Sequence, residues 1–270
     1  MNKLIATSVV LLMCLLLSAN EYVRINQFAQ ELMKAGDYQG AIREYRRLIS
    51  YFPTESNLQS KSIMIARCYE LAGDYTQALE SLSLAETIAP DDSQIFYQMA
   101  LLQMKNGSYR ESNEFISSRF SQYDVSLQDS LYLLSAVNYI HLQEYDLARS
   151  KIDAVSNEKL RPLTNSFREK LDFGLPLPYR NPDNAILLGV LFPGGGNIYA
   201  GQTGTGMAYF FLATLFGYAA YDGFSDGHIG SGLVASAFTA GIYLISIKQA
   251  VYGIENYNSN LIRDFNQGFE

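Results

Sequence analysis

The sequence predicts an all-α protein in two parts: a solenoid of about four helix pairs, then a helical membrane hairpin with a glycine-rich re-entrant turn. Three observations predict it. A short motif recurs four times in the first 150 residues, at offsets of 37, 34 and 36. Charge then vanishes, because no Lys or Arg stands between Asn184 and Ile247 and the acidic residues there are Asp222 and Asp226. Glycine divides the same way, with five before residue 182 and fifteen after it.

Composition sets the outer bounds. A chain of 270 residues suggests one large domain or two smaller ones. The charged fraction of 17% is low against the roughly 25% of soluble proteins, while Glu21 to Asn181 carries 17 Lys/Arg and 21 Asp/Glu, an ordinary soluble surface. A net charge of -7 argues against nucleic acid as a partner, since phosphate binding needs clustered Lys/Arg. Two cysteines exclude a disulfide-rich scaffold, and no zinc ligand set is visible.

The first element is a targeting segment, residues 1–19. Lys3 is the positive n-region, Leu4 to Leu17 the apolar run, and Ser18–Ala19 follow as small residues. The run is short for a span, which needs about 20 residues. A cleaved signal and an uncleaved anchor are both open, and both send residue 20 onward across the membrane. Lipidation at Cys14 is disfavoured because Met13 stands where a lipobox wants a small residue.

The repeats occupy residues 20–160. Gly36-Asp37-Tyr38 leads to Ala41, Gly73-Asp74-Tyr75 to Ala78, Gly107-Ser108-Tyr109 to Ser112 and Glu144-Tyr145 to Ala148. Twelve residues before each terminal small residue sits another alanine: Ala29, Ala66, Ala100 and Ala136. Pro53 and Pro90 close the first two units. Small residues let two helices approach closely, the glycine shapes the turn between them, and proline ends the second helix. In the fourth repeat Glu144 is read in the glycine position. The three extra residues of the first offset are read as a longer turn near Glu55 to Asn57. A lone helix pair cannot bury its face, so stacking is required.

This pattern resembles the tetratricopeptide repeat, a unit of two antiparallel helices, A and B. The resemblance implies a concave groove, lined by A helices, for a protein or peptide partner. Asn26, Gln30, Arg67, Glu70, Tyr97 and Met104 are the expected groove positions. The Lys/Asn set that clamps a terminal carboxylate in chaperone-binding members is missing. Residues 161–173 read as a capping helix with a polar outer face.

Residues 174–182 hold three of the chain's seven prolines and read as a semi-stiff linker. The membrane part follows at 183–257, with expected spans at 203–221 and 229–247, each just able to cross about 30 Å of hydrocarbon. Asp222 to His228 is the polar break of the hairpin. Before it, Pro193, Gly194, Gly196, Asn197, Tyr199 and Gly201, with Gly206 beyond, resemble a small bacterial membrane domain of undefined function. That TM2-like domain carries a Pro-Gly-x-Gly-Gln-x-Tyr-x-Gly signature, in which Asn197 replaces glutamine. The physical reading is a re-entrant or interfacial turn: proline and glycine break the helix, the freed backbone groups are buried against the hairpin, and Asn197 can bond them. Tyr199, Tyr209, Tyr218 and Tyr221 suit the water–lipid interface. Residues 258–270 read as a polar tail.

Chemistry is mostly excluded. Gly201-Gln-Thr-Gly-Thr-Gly206 lacks the lysine and the preceding strand of a phosphate loop, and Asp222, Asp226 and His228 do not space as a calcium loop. His141 reads as a surface residue and Cys68 as a packing residue. No catalytic residue, metal or cofactor is expected. The expected function is a non-enzymatic, membrane-anchored scaffold of the bacterial envelope. Its partners would be a protein or peptide and membrane lipid, with the repeats on the outer side of the cytoplasmic membrane. Two crossings are favoured over three. The rivals are a membrane-protein insertion or assembly factor and a membrane enzyme acting on lipid or envelope polymer.

Overall fold

The computed structural model describes residues 20–269, the side chains of Glu55 and Ser56 apart, so the expected signal segment lies outside the described residues. Helices form nearly all of it, with no strand among the described residues. The chain divides into two compact units, unit 1 up to Arg168 and unit 2 from Glu169.

Unit 1 is a run of helix pairs. The A helices are α1 (residues 20–34), α3 (Glu55–Leu71), α5 (Ser93–Lys105) and α7 (Val125–His141). The B helices are α2 (Tyr38–Tyr51), α4 (Tyr75–Ile88), α6 (Tyr109–Arg119) and α8 (Tyr145–Asp153). Each A helix ends in the same turn, in which a left-handed residue directs two successive amides back to the helix carbonyls. Gly36 N and Asp37 N donate to Met33 O and Leu32 O at 3.2 and 2.9 Å. Gly73 with Asp74 and Gly107 with Ser108 repeat the pattern. This double bond satisfies carbonyls that a helix end leaves open.

The fourth turn corrects the sequence register. Gln143, with φ +61°, takes the left-handed position, and its amide and that of Glu144 donate to Ile140 O and Tyr139 O at 2.9 and 2.8 Å. Glu144 is the residue before α8, not the glycine equivalent. The turn geometry survives without glycine because its hydrogen bonds hold a side-chain-bearing residue in a costly conformation. The insertion is corrected too. Thr54 caps α3 by accepting from Asn57 N, so Glu55 to Asn57 form its first turn and lengthen the helix rather than the loop.

Packing within unit 1 follows the small residues. Ala29, Ala41, Ala66, Ala78, Ala100, Ser112, Ala136 and Ala148 are all buried, at the contacts where side chains must be short. Ser112 keeps a hydroxyl in this series because it is satisfied: it donates to Ala100 O and accepts from Asn138 Nδ2, both at 2.9 Å. Larger groups fill the spaces between pairs, with Tyr45, Leu48, Leu82, Phe96 and Leu131 fully enclosed. His141 is not a free surface residue, since its ring stacks on Tyr109 at 4.4 Å.

α9 (Arg161–Gly174) carries the chain across the boundary between the units. Unit 2 continues through α10 (Pro182–Leu191), the short α11 (Gly195–Tyr199), α12 (Thr203–Ser225) and α13 (Ile229–Gln267). Asn181 caps α10 and Pro182 occupies its first turn, where a missing amide donor costs nothing. α12 and α13 form an antiparallel hairpin whose far end closes where Gly223 meets Gly232. α13 is, among the described residues, the helix long and apolar enough to cross a membrane. α12, the other expected span, carries Thr203, Gly204, Thr205, Thr214 and Ser225 and falls short of that hydropathy. The polar tail is also corrected. Helix α13 runs on to Gln267, with Asn266 buried and Phe265 against Gly174, because half-buried Leu261 and Phe265 continue at helical spacing the face on which Ile254 is buried.

Candidate functional site

Two places answer to the expected sites, one in each unit. The first is the face of unit 1 built by the A helices. There Arg67 pairs with Glu70 at 3.0 Å, and the other carboxylate oxygen of Glu70 takes Lys105 Nζ at 2.7 Å, linking α3 to α5. Asn26 faces α3 as well, accepting from Lys61 Nζ at 2.7 Å. Lys61 is buried, lies over the rings of Tyr22 and Tyr45, and has no carboxylate partner among the described residues. Gln30 is exposed on α1. Tyr97 and Met104 are half-buried against Phe96, Ala100 and Ile116.

The six expected residues therefore do not converge on one point. Arg67, Glu70 and Gln30 present polar groups, Asn26 is engaged between helices, and Tyr97 and Met104 serve the core. Lys61 and Lys105 were missed. Lys105 had a signal, as the last-turn cation of α5 beside Met104. Lys61 had none, because its burial depends on α1 folding across it.

Below this surface burial acts on two titratable groups. The Cys68 thiol is pushed up to about 11 by burial. Tyr45, next to it, is pushed up to about 12, first by burial and then by proximity to Cys68, and its hydroxyl has no hydrogen-bond partner. Neither is a nucleophile at neutral pH. Unit 1 also holds an open cleft of about 470 Å³ between α6 and the α7–α8 turn. Arg110 and Glu144 pair across it at 3.3 Å, and Asn113, Tyr139 and Leu142 line it.

The second place is the glycine-rich turn of unit 2. Gly194 adopts φ +85°, and its amide donates to Ser246 Oγ at 3.0 Å. Ser246 in turn donates to Asn197 Oδ1 at 2.9 Å, and Asn197 Nδ2 donates to Gln202 Oε1 at 3.3 Å. Asn197 and Ser246 are fully buried. Asn197 thus satisfies the freed backbone amide through Ser246 rather than directly. Both glycines of the crossing are sterically required. A Cβ on Gly194 would stand 1.9 Å from Gly206 O, and one on Gly206 would stand 2.6 Å from Gly194 O.

The rest of the motif surrounds this knot. Pro193 is buried, and a Cβ on Gly196 would lie 2.4 Å from Ala185 O. Gly201 lies under the Arg180 guanidinium at the other end of α11. Tyr199 accepts from Asn181 N at 3.3 Å and Asn184 Nδ2 at 3.4 Å. Tyr209 lies inside the hairpin, donating to Gln249, whereas Tyr218 and Tyr221 are widely exposed. No ionisable group enters the knot, so its chemistry is to satisfy irregular backbone in apolar surroundings. Ser246 was missed in the sequence, because it is one of several hydroxyls in the apolar run of α13, with Ser231, Ser236 and Thr239, and nothing local singles it out.

Residues 32–104 match the tetratricopeptide repeat family. The chain is also similar to the mouse BBSome complex member BBS4, at 28% identity over 131 residues, which are 48% of this chain and 24% of that protein. It therefore spans about a quarter of the length of the curated relative it matches.

Proposed function

We propose that this protein is a non-catalytic scaffold of the cell envelope, anchored in a membrane by unit 2, whose repeats recruit a protein or peptide partner. The observation that carries the reading is the fourfold recurrence of one helix–turn–helix geometry in unit 1. Stacked repeats of this kind present an extended surface for a partner and need no reactive group. The mouse relative is by its name a member of a complex, which agrees with a recruiting role. Anchoring is supported by the length and apolar character of α13 and by the exposed apolar side chains around unit 2, among them Leu215, Leu233 and Leu244. Placement of the repeats on the outer side of a bacterial cytoplasmic membrane follows from the reading of residues 1–19 as an export signal.

Co-purification tests the recruiting role. The full chain, tagged at its C-terminus and solubilised in mild detergent, retains a defined partner. The Arg67→Glu, Lys105→Glu double variant loses most of that partner while keeping its helical content, because both changes reverse charge on the A face. Equal retention by the variant would move the binding surface elsewhere.

A further inference from the structure

We infer that α10 and α11 form a half-depth wedge, which enters and leaves the same face of a bilayer and seats among the acyl chains of one leaflet. The inference rests on the anchoring reading above. Helix α13 supplies the ruler. From Ile229 to Tyr257 it rises about 42 Å at about 1.5 Å per residue, which matches a whole bilayer of about 40–45 Å with its headgroups. At the Tyr257 end, Arg180 stacks on the tyrosine ring at 4.1 Å, and Asn258 bonds both backbone groups of Arg180 at 3.0 and 2.9 Å. At the other end, Gly223 meets Gly232 beside the polar loop with Asp226 and His228.

The wedge starts and finishes at the Arg180 end. Ala185 of α10 and Ala200 after α11 pack with Ala250 and Ile254. Farther in, Gly189 touches Ile247, and the turn reaches its limit where Gly194 bonds Ser246. The chain then returns until Gln202 lies against Gly253. Ser246 is about 16 Å along α13 from Tyr257 and about 26 Å from Ile229, at about 1.5 Å per residue. The turn therefore stops near the middle of the bilayer, where irregular backbone is tolerated only when satisfied internally. The Ser246–Asn197 pair provides that satisfaction.

The outer side of the wedge fixes its occupant. Leu187, Val190 and Leu191 are 59%, 59% and 67% exposed, and no charged residue stands between Asn184 and Gln202. This apolar surface is continuous in type with the exposed leucines of α12 and α13. Arg180, with no carboxylate partner among the described residues, stands at the wedge end, on Tyr257, while Asp222 and Asp226 belong to the other end. A cation at this level suits lipid phosphates. Lys248 is anchored deeper, about 13 Å along α13 from Tyr257 at about 1.5 Å per residue, and its stem reaches outward along apolar surface toward that level.

Depth-dependent fluorescence quenching tests the wedge. Single cysteines at Leu191, Tyr179, His228 and Leu244 are introduced in full-length protein carrying Cys14→Ser and Cys68→Ser. Each is labelled with an environment-sensitive dye and reconstituted in phosphatidylcholine–phosphatidylglycerol vesicles. The wedge predicts that Leu191 and Leu244 lose emission to nitroxides at mid-chain of the lipid and ignore iodide, while Tyr179 and His228 respond to iodide. Iodide quenching at Leu191 with Leu244 still in lipid would overturn the wedge and leave the anchor standing. Iodide quenching at Leu244 as well would overturn the anchor itself.

Discussion

At the residue scale, two positions carry conclusions that composition hides. Gln143 holds a left-handed conformation that its three counterparts assign to glycine, at a cost of roughly 1 kcal/mol for a residue with a Cβ. Gln143→Gly is expected to stabilise the repeats by about 0.5–1 kcal/mol, because the relief of strain outweighs the added freedom of the unfolded chain. The urea midpoint of the folded chain measures this, and an unchanged or lower midpoint would show that the Gln143 side chain contributes more than its backbone costs. Cys68 makes a pH-dependent prediction. Its folded pKa of about 11 lies above the ordinary 9.0, so its contribution is complete below pH 9 and is lost as pH rises through 11. Tyr45, raised from 10.0 to about 12, extends the loss upward. Stability should therefore fall between pH 9 and 12, and Cys68→Ala should flatten the first part of that fall.

At the element scale, the repeats were legible because their constraints are local. A glycine that must be left-handed and alanines that must be small leave marks at fixed spacing, and the helices follow. What misled was position within the motif: Glu144 next to Gln143, and an insertion that a loop or a helix turn could equally absorb. The Thr54 cap decided for the helix. The end of α13 was misread because polar composition masked an apolar stripe at helical spacing, in which Ile254 is buried and Tyr257, Leu261 and Phe265 are half-buried. The glycine-rich turn was legible as a turn, but its partner Ser246 lies 52 residues from Gly194 and no local pattern joins them. Gly194→Ala should lower the thermal midpoint of the detergent-solubilised chain, an overpacking cost of roughly 1–3 kcal/mol, because its Cβ would meet Gly206 O. Gly217→Ala, with nothing near its Cβ, is the control and should leave the midpoint unchanged or raised. Equal behaviour of the two variants would mean that the crossing of Gly194 and Gly206 is loose.

At the scale of the whole molecule, the two units divide the proposed work. Unit 1 buries its core by neighbour stacking and exposes an A-helix face with Gln30, Arg67 and the Glu70–Lys105 bridge. Ion pairs at a surface contribute about 0–1 kcal/mol to folding, so the exposed cations Arg67 and Lys105 can serve a partner at little cost to the fold, while Glu70 between them is largely covered. Unit 2 exposes large apolar side chains along α10, α12 and α13, Leu191, Leu215, Leu233 and Leu244 among them, and buries Asn197 and Ser246, an inversion of the usual soluble surface. That inversion could be read from charge alone, since the 64 residues from Asn184 to Ile247 carry only two charges. The groove itself was less legible, because which A-helix residues are engaged between helices depends on tertiary contacts such as Lys61 to Asn26. Photo-cross-linking in intact membranes asks whether the A-helix face of unit 1 holds a protein partner, with a photoreactive side chain placed at Gln30 or Arg67 and, as the control, at Glu80 on B helix α4. A recruiting A face gives one discrete protein adduct from Gln30 and Arg67 and none from Glu80. Adducts absent from both A-face positions while Glu80 yields one would contradict it.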